Sequence, residues 1–108
     1  MSNKILSLLG FAAKAGKLSF GFDMTVEAIK KEKSKLIVIA NNVSEKTKKE
    51  ILFFKGNKKT EVITLDAVGI GELSKAVGKK CGIVSVNDKG FAEACLKARI
   101  EGGIANDK

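Results

Sequence analysis

Apolar positions along the chain follow two patterns, one at helical spacing and one in short unbroken runs, and the longest unbroken run organises the rest. Leu36-Ile-Val-Ile-Ala40 is five successive apolar residues, three of them β-branched, with Lys35 before it and Asn41-Asn42 after it. That length and composition suit a strand buried on both faces, since a half-exposed strand would alternate polar and apolar residues. A central strand is predicted. The amide pair then lies where the strand leaves the sheet, and open α/β sheets dock ligands beyond the carboxyl ends of their strands. The same two asparagines also suit an ordinary turn, with side chains bonded to nearby backbone. Ser44 is placed to cap a following helix through its hydroxyl.

The remaining elements follow in order. Ile5, Leu8, Leu9, Ala12 and Ala13 recur at helical spacing after Ser2 or Asn3, Gly16 is placed to stop that helix, and Lys14 and Lys17 close it with positive charge. Leu18 to Phe20 is at most a short strand, broken by Gly21. A second helix is predicted from Asp23 to about Glu32, with Phe22, Val26 and Ile29 as its inward face. The third runs from beyond Ser44 to about Lys55, with Ile51, Leu52 and Phe54 inward and Lys46, Lys48 and Lys49 outward. Glu61 to Leu65 is a further β-rich run, and Asp66 is placed to cap a fourth helix from about Val68 to Val77. A glycine-bounded basic loop, Gly78-Lys79-Lys80-Cys81-Gly82, leads into a strand from Ile83 to Val86. Asn87-Asp88 opens a last helix lined by Phe91, Ala94, Cys95 and Ala98, and the small and charged residues of 101–108 predict a mobile tail. The alternation gives one α/β domain over residues 1–100, a sheet covered on both sides by helices.

Charge narrows the function. The formal net charge is +8, 19 of the 20 cations are lysine, and Arg99 is the one arginine. Such a surplus favours a polyanionic partner, and without a basic amphipathic anchor nucleic acid is favoured over a membrane. Solubility alone is the plainer explanation of a lysine-rich surface. Readout of guanine by a guanidinium is limited to one residue, so base contacts fall to amides, backbone or lysine.

Catalysis and metal binding find little support. The chain has no histidine, so the usual general base near neutral pH is missing and no Ser-His-Asp set exists. Cys81 and Cys95 are not spaced as C-x-x-C and read as two unpaired thiols in a reducing cytoplasm, with no zinc site. Gly69-x-Gly71 lacks the spacing of a dinucleotide fingerprint, and no G-x-x-x-x-G-K-[ST] is present. No cofactor and no catalytic residue are expected. No stretch has the pattern of a secretory signal or the length of a membrane span, which places the chain in the cytoplasm.

Three turns remain as the candidate surface: Gly21 to Met24, Asn41-Asn42, and Gly78 to Gly82, with Lys17, Lys79 and Lys80 placed to surround them. Gathered on one edge of the sheet, they would set amides among cations beside an exposed helix N-terminus, an arrangement suited to a phosphate backbone and splayed bases.

The stretch Gly21 to Asn42 resembles, without a gap, the signature region of the kink-turn RNA-binding ribosomal protein superfamily of the L-seven-Ae and L-thirty-e type. Glu72-Leu-Ser-Lys-Ala-Val-Gly78 is similar to that family's second segment, Glu-Leu-Gly-x-Ala-x-Gly, with Ser74 in place of a glycine. Lys14-Ala-Gly-Lys17 and Val86-x-Asp-x-Gly90-Phe91 resemble the bacterial YlxQ-like branch. The resemblance implies a three-layer α/β/α sandwich around a four-stranded mixed sheet. It further implies a non-catalytic monomer that binds structured RNA, ribosomal or kink-turn-like, in a ribonucleoprotein. The family binds RNA through the start of its second helix, the turn after the central strand and the loop before the last strand. Carried onto this chain, those positions are Gly21, Phe22, Asp23, Met24, Glu27, Asn41, Asn42, Lys79 and Lys80, with Lys17 nearby. Asn41-Asn42 match the asparagine pair of the L-thirty-e branch.

The signature departs from the strong binders at three positions. Where they carry Asn-Glu-x-x-Lys, this chain has Asp23-Met24-x-x-Glu27, losing an amide donor, a carboxylate acceptor and a positive charge. Local roles are expected for these side chains: Asp23 as helix cap, Glu27 paired with Lys31, Met24 exposed. An alternative reading is a protein-interaction module that kept the fold and uses Phe22 and Met24 as apolar contacts.

Overall fold

In the computed structural model, which describes the backbone of residues 3–106 and the side chains of residues 3–99, all four residues of strand β2 (Leu36–Ile39) are buried. Around it run α1 (Lys4–Lys14), β1 (Leu18–Phe20), α2 (Gly21–Lys30), α3 (Glu45–Lys55), β3 (Glu61–Thr64), α4 (Ile70–Val77), β4 (Ile83–Val86) and α5 (Lys89–Asn106). The strands form one sheet in the order β1-β4-β2-β3, with β2 parallel to β3 and antiparallel to β4, and β4 antiparallel to β1.

The unbroken apolar run is explained by what lies on each side of it. Successive side chains of a strand point to opposite faces, so Leu36, Val38 and Ala40 join the core under α1, α4 and α5, through Leu9, Leu73, Val77 and Cys95. Ile37 and Ile39 point the other way, to Val26 and Ile29 of α2 and Ile51 of α3. The result is a three-layer α/β/α sandwich around a four-stranded mixed sheet.

Several boundaries differ from the sequence expectation. Helix α2 begins at Gly21 rather than Asp23, directly on the end of β1, because Gly21 makes the turn at φ +87°, a conformation that glycine adopts without steric cost. Helix α4 begins at Ile70 rather than Val68, and Asp66 does not cap it. On α3, Ile51 is buried and Phe54 half-buried, whereas Leu52, expected inward, is 51% exposed. A step of about 100° per residue carries position 52 off the narrow buried stripe of that helix. Helix α5 continues to Asn106, through most of the range read as a tail, and residues 107–108 lie outside those described.

Asn3 caps α1 by accepting from the N–H groups of Ile5 and Leu6, Ser44 caps α3 through Thr47, and the Asp88 carboxylate accepts from the N–H of Phe91 in α5. Both cysteines are free and buried. Burial pushes the Cys95 thiol up to about 11 and also raises Cys81, where Lys79 opposes part of the shift. Among the described residues, no helix is long and apolar enough to cross a membrane and no cluster of His, Cys, Asp and Glu could hold a metal ion.

Candidate nucleic-acid interface

Strand register decides which turns meet. Phe20 pairs with Val84 and Ile39 pairs with Ile83, so the end of β1, the end of β2 and the start of β4 lie on one rim of the sheet. Gly21 to Met24, Asn41-Asn42 and the loop 78–82 therefore gather there, joined by the 66–69 turn that follows β3.

Backbone bonds brace this rim. The N–H of Ala40 donates to Gly82 O at 2.9 Å, and the N–H of Asn41 donates to Val68 O at 2.8 Å. A Cβ at Gly82 would stand 2.9 Å from Val43 Cγ2 and 3.0 Å from Ile70 Cγ1, so only glycine lets the three turns close this tightly. The Ser74 hydroxyl donates to Cys81 O at 3.0 Å and accepts from Cys81 N–H at 2.9 Å, which pins the far end of the basic loop to α4. Gly78, at φ +79°, ends α4 in the left-handed region and releases the chain into that loop.

The two asparagines have different tasks. Asn42 Oδ1 accepts from the N–H of Ile70 at 2.9 Å and so caps α4, whose N-cap residue Gly69 has no side chain for the purpose. Its Nδ2 remains available as a donor. Asn41 is exposed, and its side-chain amide has no hydrogen-bond partner among the described residues. Lys48 Nζ donates to Asn41 O at 3.4 Å and meets Glu45 at the same distance, which brings a third lysine to the rim beyond Lys79 and Lys80. Sequence reading placed Lys48 only on an outer helix face. Its separation of seven residues from Asn41, across a turn and a helix start, carried no local signal.

Lys79 and Lys80 are exposed and form no ion pair among the described residues. The Lys79 ammonium lies 5.3 Å from the centroid of Phe20, a cation–π contact that keeps it over the end of β1. Helix α2 opens with no side-chain cap, so the N–H groups of its first turn face the rim with the partial positive charge of a helix N-terminus. Asp23 is exposed in that turn without capping it, a correction to the role expected of it.

Other candidates are placed less favourably. Lys17 is at the opposite rim: its carbonyl accepts from Asn87 N–H at 2.8 Å, beside the Leu18–Val86 pair at the far end of β1. Phe22 is half-buried and meets Phe54 edge-on at 6.3 Å, which makes it part of the α2–α3 packing. Met24 is 51% exposed. Glu27 pairs with Lys31 at 2.7 Å, and that hydrogen bond and charge hold its carboxyl below the usual carboxylate range.

Comparison with known proteins agrees with this architecture. The model of the ribosomal protein L7Ae/L30e/S12e/Gadd45 family matches residues 3–96. The RNA-binding protein YlxQ of Enterococcus faecium is 34% identical over 99 residues, covering 92% of this chain and 93% of its own. The large ribosomal subunit protein eL30 of Candida glabrata is 38% identical over 87 residues, covering 79% and 82%. Among solved structures, the Giardia lamblia 15.5kD RNA binding protein superposes with a TM-score of 0.71 at 11% identity, covering 94% of this chain and 89% of its own, a likeness of fold.

Proposed function

The chain belongs to the ribosomal protein L7Ae/L30e/S12e/Gadd45 family, and from that premise we propose that it is a non-catalytic protein binding a structured RNA, ribosomal or kink-turn-like, at the rim where its three turns meet. The observation that carries this reading is the free amide of Asn41, held on a braced frame between Lys48, Lys79 and the uncapped start of α2. Phosphates are taken by Lys79, Lys80 and Lys48 and by the first-turn N–H groups of α2, which fix the register of the RNA without reading its sequence. Asn41, which keeps both donor and acceptor, and the Nδ2 of Asn42 address the edges of bases splayed from a loop or bulge.

The scarcity of charged hydrogen-bonding partners on α2 sets the strength of the interaction. Glu27 faces the solvent already engaged with Lys31, and Met24 offers no hydrogen bond, so this chain binds a kink-turn more weakly than relatives with the Asn-Glu-x-x-Lys set. Docking of a protein at the same place draws less support. Phe22 is committed to Phe54, which leaves Met24 as a single apolar contact rather than a contiguous patch.

Electrophoretic titration against a kink-turn, a hairpin and a plain duplex at two salt concentrations tests the proposal. It predicts tightest binding to an RNA with unstacked bases and a steep loss with salt; equal affinity for all three would refute readout by amides.

A further inference from the structure

We propose that helix α3 carries a second RNA-binding surface, separate from the rim, on which a single-stranded segment stacks a base against Phe53. Phe53 is 79% exposed, more than any other large apolar side chain described. Its ring is held from behind by Phe54, with centroids 5.5 Å apart at 78°, and Phe54 in turn lies edge-on to Phe22 and under the Lys30 ammonium at 5.3 Å. The exposed ring therefore rests one edge on an aromatic row and leaves most of its surface open to solvent.

Lys46, Lys49, Glu50 and Phe53 stand at i, i+3, i+4 and i+7, one stripe along α3, and with Phe54 they line a shallow depression of about 470 Å³. The stripe starts two residues beyond the Ser44 cap and runs about 10 Å along the helix axis, away from the rim. Lys46 and Lys49 line the depression with one acid, Glu50, and Lys30 of α2 stands over the neighbouring Phe54 ring, so the charge beside the aromatic pair is that of a surface for polyanions.

A protein partner fits this stripe poorly, because protein interfaces deplete lysine and surround their aromatic anchors with further apolar area. A duplex fits poorly too, since its bases are already stacked on one another. Single-stranded nucleic acid offers both components, a free π-face and a phosphate on either side of it. Naming that nucleic acid RNA rests on the function proposed for the rim; the geometry of the stripe does not depend on the rim.

The chain has no tryptophan and no tyrosine, so Phe53→Trp introduces one indole at the proposed stacking position. Its fluorescence should be quenched on titration with an oligouridine of about eight nucleotides, and Phe53→Ala should weaken that binding by about five- to a hundredfold. Lys46→Gln with Lys49→Gln should lower the salt slope by about 0.7 per lysine. An unquenched indole, unchanged affinity in Phe53→Ala, or Phe53-dependent self-association without RNA would each overturn the proposal. Asn41→Ala, titrated in parallel with a kink-turn and with oligouridine, separates the two sites: it should weaken the first alone. Absence of kink-turn binding in the parent, with the Phe53→Trp indole still quenched by oligouridine, would fault the rim and spare α3.

Discussion

Asn42 caps a helix that begins 28 residues further along the chain: its Oδ1 accepts from the N–H of Ile70 at 2.9 Å, and the neighbouring Asn41 takes no part. One asparagine of the pair is thus structural and the other is free. Asn42→Ala should destabilise the fold by about 1 kcal/mol, as loss of an N-cap does, and Asn42→Asp should keep most of that stability. Asn41→Ala should leave the urea midpoint unchanged and act only on RNA affinity. Equal loss of stability in the two alanine variants would contradict the division.

Ser74 stands where the family segment has glycine, and both of its hydroxyl bonds go to the backbone of Cys81. Ser74→Ala should free the loop of Lys79 and Lys80. The expected result is faster amide hydrogen exchange at Cys81, together with a loss of about 1 to 2 kcal/mol in stability for the two bonds. Unchanged exchange there would mean that the loop is held by Gly78 and its neighbours alone.

Much of this was legible in the chain itself, and the failures share a cause. The five apolar residues from Leu36 to Ala40 announced a two-faced strand because the run is short and three of its residues are β-branched, and that strand located the asparagine pair. Asp66 looked like the cap of α4 because it stands close in sequence, while the true cap came from a turn distant along the chain. Lys17 looked adjacent to Gly21 because β1 is three residues long, yet a strand of any length has its two ends on opposite rims. Both errors arise where tertiary pairing, rather than local composition, decides position. Leu52 failed differently, as α3 buries only a narrow stripe.

Cys95 gives a pH dependence with a definite sign. Its folded-state thiol titrates at about 11, above the ordinary value of 9.0, so the native state holds a proton that the unfolded chain gives up first. That contribution to stability is full below about 9 and declines as pH rises through about 11. Cys95→Ala should flatten this part of the alkaline loss relative to the parent, measured as urea midpoints against pH. Parallel curves for the two proteins would contradict the assignment.

The departures on α2 give a gain-of-function test. Glu27 now holds Lys31, and replacing it by lysine converts a local ion pair into a free cation nearly two turns inside the helix start. Asp23→Asn, Met24→Glu and Glu27→Lys together should strengthen kink-turn binding, with each recovered polar or charged contact adding about 1 to 3 kcal/mol of discrimination. Affinity for a plain duplex should change little. An equal gain on both RNAs would show a general charge effect instead of recognition.

The claim that one rim of the sandwich binds the RNA is tested most directly by comparing Lys79→Ala with Lys17→Ala, two exposed lysines at opposite ends of the same short strand. Affinity for the structured RNA is measured as a function of salt for each. The account predicts a salt slope reduced by about one for Lys79→Ala and unchanged for Lys17→Ala. Equal reductions, or a larger one at Lys17, would contradict it.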